Sequence, residues 1–122
     1  MGRICILPTV TGFRFHVKAA NGQTVATGET YGQKAACRKG ALSAAKLAVT
    51  VPITDRTLGQ SGCNPQFEIY EDRAGAYRFR LLARNGKIVA VSQGYSSKAG
   101  CLGGIASFRE NAADPVICED QP

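Results

Sequence analysis

The chain has 122 residues, of which 44% are hydrophobic and 20% are charged, and its formal net charge at pH 7 is +6. This length fits one domain with a single core, and no run of about 18 apolar residues is present that could cross a bilayer. The apolar stretch at residues 4–7 is too short for the core of a secretory signal. We therefore expect a cytoplasmic protein that makes no membrane contact.

The five cysteines are odd in number, contain no C-x-x-C pair and have only His16 as a histidine neighbour in the sequence. These features favour reduced thiols over a closed disulfide framework. They also argue against a four-ligand zinc site, so we predict neither a metal nor a cofactor. Cys37 and Cys101 are expected to pack as small hydrophobic residues, and Cys63 lies in the predicted linker.

The two halves of the chain align with each other without a gap at an offset of 64 residues. Among the matched pairs are Asn21 with Asn85, Tyr31 with Tyr95, Cys37 with Cys101 and Gly40 with Gly104. A constant offset indicates that one supersecondary unit is used twice. We predict a single domain of two repeats that share a core, with repeat 1 at residues 1–58, a linker at 59–65 and repeat 2 at 66–122.

The order of elements is clearest in the second repeat. Alternating apolar residues predict strands at residues 67–70, 77–81 and 87–93, and Asn85-Gly86 predicts a two-residue type I′ turn between the last two. After Gly94 the apolar period changes to that of a helix, with Ser96 or Ser97 as its N-cap. A short strand follows Pro115, so each unit reads β-β-β-α-β.

Several segments of the second repeat carry a family resemblance: FEIY (67–70), YRFRL (77–81), ARNG (83–86), GYSSKA (94–99) and GIAS (104–107). They resemble the YegP-like family, a small bacterial and archaeal domain of unknown function that often occurs as a tandem duplicate. The resemblance implies an α+β fold in which two β3-α-β repeats form one antiparallel sheet, exchange their last strands and pack both helices on one face. The family typically has tryptophan in the second strand, where this chain has Tyr77 and Phe79, with Phe13 and Phe15 in the first repeat.

The second strand of each repeat carries basic residues opposite its apolar face. Arg14 and Lys18 in the first repeat, and Arg78 and Arg80 in the second, are expected to lie on the open face of the sheet. Residues 1–64 hold eight basic and two acidic residues, whereas residues 65–122 hold seven of each. Such a face is either a solvated surface or a binding surface for nucleic acid or another polyanion.

A Tyr-x-x-Lys element precedes each predicted helix and forms a second candidate site. Its residues are Tyr31 and Lys34 in the first repeat, and Tyr95, Ser96, Ser97 and Lys98 in the second. The free N–H groups of a helix start and the adjacent lysine could hold an anion. The alternative is a helix cap with a tyrosine that anchors the corner between strand and helix.

Catalytic signatures are missing from the sequence. His16 has no acid or nucleophile at a telling spacing, and neither a phosphate-binding glycine loop nor a G-x-S-x-G motif is present. We therefore predict a non-enzymatic binding module for nucleic acid or another polyanion. The alternative is a protein-interaction or inhibitor module that binds no nucleic acid.

Overall fold

A computed structural model describes residues 3–119, so the outermost residues of the two predicted repeats lie outside the described range. The elements in chain order are β1 (Arg3–Pro8), β2 (Phe13–Lys18), β3 (Thr24–Tyr31), α1 (Lys34–Thr50), β4 (Ile53–Asp55), a short 3-10 helix (Arg56–Leu58), β5 (Gln66–Glu71), β6 (Tyr77–Leu82), β7 (Ile88–Val91), α2 (Lys98–Ala113) and β8 (Ile117–Glu119). Neither α-helix in this range is long and apolar enough to cross a membrane.

The eight strands form one sheet in the order β4-β5-β6-β7-β3-β2-β1-β8. The prediction of a wholly antiparallel sheet is wrong at both ends, because β4 runs parallel to β5 and β8 runs parallel to β1. Each helix carries the chain back across the sheet, so the strand that follows it arrives parallel to its new neighbour. The α+β class with one sheet and two helices is confirmed, and the sheet is mixed.

The core lies between the sheet and the two helices, and alternate strand residues point into it. Phe67 and Phe79 contact each other edge to face at 5.7 Å between ring centroids, and Phe67 meets Phe108 of α2 at 5.6 Å. All three rings are fully buried. Arg109 joins the two helices, because its Nε donates to the carbonyl of Ala48 at 3.1 Å, near the C-terminal end of α1. The apolar residues whose spacing predicted the strands and helices therefore form the core.

The hairpin at Asn85-Gly86 differs from the predicted type I′ turn. Gly86 has a φ of +84°, but no non-glycine residue in the described range has a positive φ. The amide of Gly86 donates to the carbonyl of Ala83, and the amide of Ala83 donates to the carbonyl of Lys87. This is a type I turn followed by a left-handed glycine, which is the usual three-residue loop. Asn85 stabilises it by accepting from the amide of Lys87 at 3.0 Å.

Cys5 and Cys118 form a disulfide, so the prediction of reduced thiols is wrong for this pair. The parallel register of β1 and β8 places the two residues directly opposite each other, with 4.7 Å between their Cα atoms. This distance lies within the range that a disulfide spans. Cys37 and Cys101 are buried, as predicted, and Cys63 is an exposed thiol.

Two neighbouring glycines of α2 are expected to respond oppositely to alanine. A Cβ atom at Gly104 would overlap the hydroxyl of Tyr95, whereas one at Gly103 would meet no atom within 4 Å. Gly103→Ala should raise the free energy of unfolding by up to about 1 kcal/mol through helix propensity. Gly104→Ala should lower it by about 1–3 kcal/mol through overpacking. Urea unfolding of both variants tests this, and a gain in stability for Gly104→Ala would contradict the packing account.

Candidate anion-binding site

A groove lies on the open face of the sheet, along the seam where β3 meets β7. Only two residue pairs are in register there, Thr27 with Val91 and Gly28 with Ala90. The groove has a volume of about 570 Å³. We call it the central groove, and its lining residues are Arg14, His16, Thr24, Thr27, Gly28, Glu29, Arg78, Val91, Ser92 and Gln93. Two of the predicted binding residues, Arg14 and Arg78, therefore reach one groove from equivalent positions of the two halves.

Arg78 is held by an acidic neighbour. Its Nε donates to Asp72 Oδ2 at 2.7 Å, and its Nη1 donates to the carbonyl of Ser92 at 3.1 Å. The guanidinium of Arg78, followed by the backbone amide of Ala76, holds the pKa of Asp72 below its usual range. Arg78 therefore enters the groove with most of its charge already compensated.

Arg14 has no such partner. Its Nη2 donates to Thr30 Oγ1 at 3.0 Å, while its Nε is buried without a hydrogen-bond partner. Within residues 3–119 it forms no ion pair, because the position equivalent to Asp72 is Pro8. Removing a charged donor from water without pairing it is costly. Arg14 therefore brings an uncompensated positive charge to the central groove.

The other two predicted residues of the sheet face, Arg80 and Lys18, lie outside the groove. Arg80 Nε donates to Glu68 Oε1 at 2.9 Å, and its guanidinium lies 4.6 Å from the centre of the Tyr70 ring. Glu68 stands directly across the hairpin from Arg80. Lys18 ends β2 opposite Arg3. The basic residues of the sheet face therefore do not form one continuous site. In the second repeat, the charges of the two arginines on this face are largely neutralised by Asp72 and Glu68.

The predicted binding residues did not include six further polar residues of the groove, which are His16, Thr24, Thr27, Glu29, Ser92 and Gln93. Glu29 and Gln93 occupy equivalent positions, and Glu29 lies at an irregularity in the pairing of β2 with β3. Such bulges redirect side chains, and they are not visible in an alternating pattern. His16 Nδ1 lies 3.4 Å from Thr27 Oγ1. The repeat equivalence of Glu29 and Gln93 was the one available signal for them.

The two Tyr-x-x-Lys elements make structural contacts at both helix starts. Lys34 Nζ lies 3.4 Å from Glu119 Oε2, and Lys98 Nζ lies 3.0 Å from Asp55 Oδ2. The acids end β8 and β4, so each lysine ties its helix to the short strand contributed by the other half. Ser97 is the N-cap of α2, since its Oγ accepts from the amide of Gly100 at 3.0 Å.

The tyrosines of these elements pack over the glycines of the helices, Tyr31 over Gly40 and Tyr95 over Gly104. Burial is the main reason that the pKa values of both hydroxyls are raised. Ser96 is exposed. An anion at either helix start stays a prediction, and it would compete with Glu119 or Asp55 for the adjacent lysine.

The buried thiols are poor candidates for chemistry. Burial, followed by the charge of Asp55, raises the pKa of Cys101 to about 11, and burial also raises the pKa of Cys37. A thiol with a raised pKa is a weak nucleophile at neutral pH. Among residues 3–119, no three histidine, cysteine or acidic side chains converge in a way that could hold a metal ion.

Comparison with known proteins identifies the family. A family model described as "Domain of unknown function (DUF1508)" matches the chain twice, at residues 11–55 and 72–119. The chain belongs to this family. Its members include the UPF0339 protein YegP of Escherichia coli O157:H7, which is 32% identical over 108 residues, a match that covers 86% of this chain and 84% of that protein.

Other YegP-like relatives differ in how much of the chain they match. A UPF0339 protein of Methanosarcina acetivorans is 64% identical over 52 residues, which cover 43% of this chain and 90% of the relative. The solution NMR structure of E. coli yegP superposes with a TM-score of 0.78 at 26% identity and covers 98% of this chain and 92% of the other. That structure is described as a protein of unknown function.

Proposed function

We propose that this YegP-like protein is a non-enzymatic binding module whose open sheet face holds an anionic polymer, with nucleic acid as the first candidate. The observation that carries the proposal is the meeting of Arg14 and Arg78 in the central groove. Two equivalent arginines on one surface supply the charge and the bidentate donors that phosphate recognition uses. The groove lies in the middle of an eight-stranded sheet, so a strand could cross it from either half.

The balance of charge supports a contact centred on the first half. Arg78 and Arg80 are paired with Asp72 and Glu68, whereas Arg14 forms no ion pair within the described residues. Lys18 lies on the same strand as Arg14. Arg14 therefore marks the less compensated end of the groove, which is the end where a phosphate backbone should bind first.

The same proposal includes the architecture of the repeats and the cellular location. Two matches of one family model to one chain, and short relatives that match less than half of it, support a tandem duplication. The pairing of β4 with β5 and of β8 with β1 supports the exchange of the last strands. We also propose a cytoplasmic location. The Cys5–Cys118 disulfide is the observation against this location, because disulfides are rare in the reducing cytoplasm.

The test is a fluorescence titration with single- and double-stranded oligonucleotides at low and at physiological salt. We expect saturable binding that weakens steeply with salt, because phosphate contacts release counterions. The variant Arg14→Glu with Arg78→Glu should lower the affinity by at least about tenfold. The matched control, Arg84→Glu with Lys87→Glu, makes the same change in net charge on exposed residues outside the central groove.

Equal losses in the two double variants would show that net charge alone governs binding and would contradict a site in the groove. If no oligonucleotide binds at low salt, the polyanion proposal fails and the alternative takes its place, a module that binds a protein partner. A pull-down at high salt tests that alternative, since an apolar contact survives conditions that screen charge.

A further inference from the structure

The equivalent arginines of the two halves, Arg14 and Arg78, differ in their acidic neighbours. In the second half, Asp72 at the end of the first hairpin pairs with Arg78, and Glu68 on β5 pairs with Arg80. In the first half these two acidic positions are Pro8 and Ile4. The first hairpin therefore lacks both acids, although an arginine is present at position 14.

Without these acids, the guanidinium of Arg14 forms no ion pair within the described residues. Arg14 uses one Nη2 hydrogen bond to Thr30, and its buried Nε has no partner. A guanidinium offers five N–H donors in a planar fork that matches two oxygens of a phosphate or carboxylate group. Because Nε itself is buried, the remaining donors of the guanidinium are the ones that can meet a ligand, and Arg14 presents them to the open groove that it lines.

The rest of the groove has the size and chemistry of a small-molecule site. Its volume of about 570 Å³ exceeds the space that one phosphate needs and falls within the range of ligand pockets, about 300–1,000 Å³. Gln93 offers an amide donor and acceptor, and Thr27 offers a hydroxyl. Glu29 also lines the groove, and its carboxylate repels a second anionic group while it accepts from hydroxyl groups.

These features favour a ligand with one compact anionic group and a polar body rich in hydroxyls. Of the two arginines that line the groove, only Arg14 forms no ion pair within the described residues, so the groove itself matches a single compact phosphate better than a row of them. We propose that the central groove is a binding site for a phosphate monoester that carries hydroxyl groups, such as a sugar phosphate, a nucleotide or the phosphorylated end of a nucleic acid strand, with Arg14 as its anchor. This inference deepens the proposed function where the phosphate ends a nucleic acid strand, and it goes beyond that function where the ligand is a small phosphate monoester.

The test is an NMR titration of the full-length protein, labelled with 15N, with ribose 5-phosphate and adenosine 5′-monophosphate. We expect saturable shifts of the Arg14 Nε–H and the Gln93 side-chain amide, and no saturable shifts with adenosine, which lacks the phosphate. Arg14→Gln should weaken binding by about tenfold or more, since a charge-assisted pair is lost. Arg14→Lys should weaken it less, and Arg84→Gln, at an exposed position outside the groove, should leave it unchanged.

Two further arms separate the sources of the phosphate. A 5′-phosphorylated oligonucleotide that binds more tightly than its 5′-hydroxyl counterpart supports strand-end recognition, and monoester binding without oligonucleotide binding supports a small-molecule ligand. The inference is overturned if neither monoester produces saturable shifts at about 10 mM, or if Arg14→Gln binds as the unmodified chain does. Oligonucleotide binding that ignores the terminal phosphate, with no monoester binding, would preserve the broader proposed function and refute the narrower one.

Discussion

Reduction of the Cys5–Cys118 disulfide is expected to lower the free energy of unfolding by roughly 3–5 kcal/mol. The two cysteines are 113 residues apart in the chain, so the cross-link restricts nearly the whole unfolded chain, and the loss of entropy on closing a loop grows with its length. The bond also holds β8, a strand of three residues, against β1. We therefore expect the free energy of unfolding to depend strongly on the redox state.

Urea unfolding followed by far-UV circular dichroism, with and without reductant, measures this effect. The exposed thiol of Cys63 should first be replaced by serine, so that exchange with it does not disturb the comparison. The control is Cys5→Ala with Cys118→Ala, which should be as weak as the reduced protein and insensitive to reductant. Equal unfolding midpoints in the oxidised and reduced protein would contradict the role given to this bond.

Local patterns in the sequence predicted the elements that depend on local physics. Alternation placed Phe79 in the core and Arg78 on the opposite face, because successive strand residues point to opposite sides. The serine before α2 was correctly expected to cap it, since it supplies an acceptor for free amides. The matched glycines of the repeat, Gly40 and Gly104, lie inside the two helices, where the rings of Tyr31 and Tyr95 pack against them.

The features that failed depend on which distant segments meet. The disulfide and the parallel ends of the sheet both follow from the pairing of β8 with β1, a contact between opposite ends of the described chain. No spacing within the sequence encodes that partner. The type I′ turn was wrong for a different reason: Asn-Gly also fits the end of a three-residue loop, in which only the glycine needs a positive φ.

Local sequence patterns likewise predicted only part of the candidate site. The outward direction of Arg14 and Arg78 could be predicted from alternation, and the pairing of Glu68 with Arg80 could have been read from the register of one hairpin. The central groove could not, because it forms where β3 and β7 of different halves meet over two residue pairs. The burial of Arg14 Nε also required the assembled sheet.

If acidic partners decide which arginine can bind an anion, the removal of one such acid should change the affinity for an oligonucleotide. Asp72→Asn should release Arg78, because the amide cannot form the ion pair and yet can still accept from the backbone amides of Ala74 and Ala76 through Oδ1. We expect the affinity for a single-stranded oligonucleotide to rise roughly two- to fivefold, in line with the loss of one partly exposed ion pair.

The matched control for this variant is Glu71→Gln. Glu71 is the neighbouring residue on β5, it is exposed, and it forms no ion pair within residues 3–119. Both substitutions remove one negative charge from the same end of the strand, so they raise the net charge equally. Only Asp72→Asn frees an arginine that lines the central groove.

The most direct measurement is therefore the salt dependence of oligonucleotide affinity for the unmodified chain, Asp72→Asn and Glu71→Gln. We expect Asp72→Asn to bind the oligonucleotide more tightly than the unmodified chain. Its plot of log affinity against log salt should also be steeper, by the amount that about one additional phosphate contact contributes. Glu71→Gln should keep the slope of the unmodified chain. Identical slopes and affinities for the two variants would contradict a site in which Asp72 controls the charge that Arg78 offers to an anion.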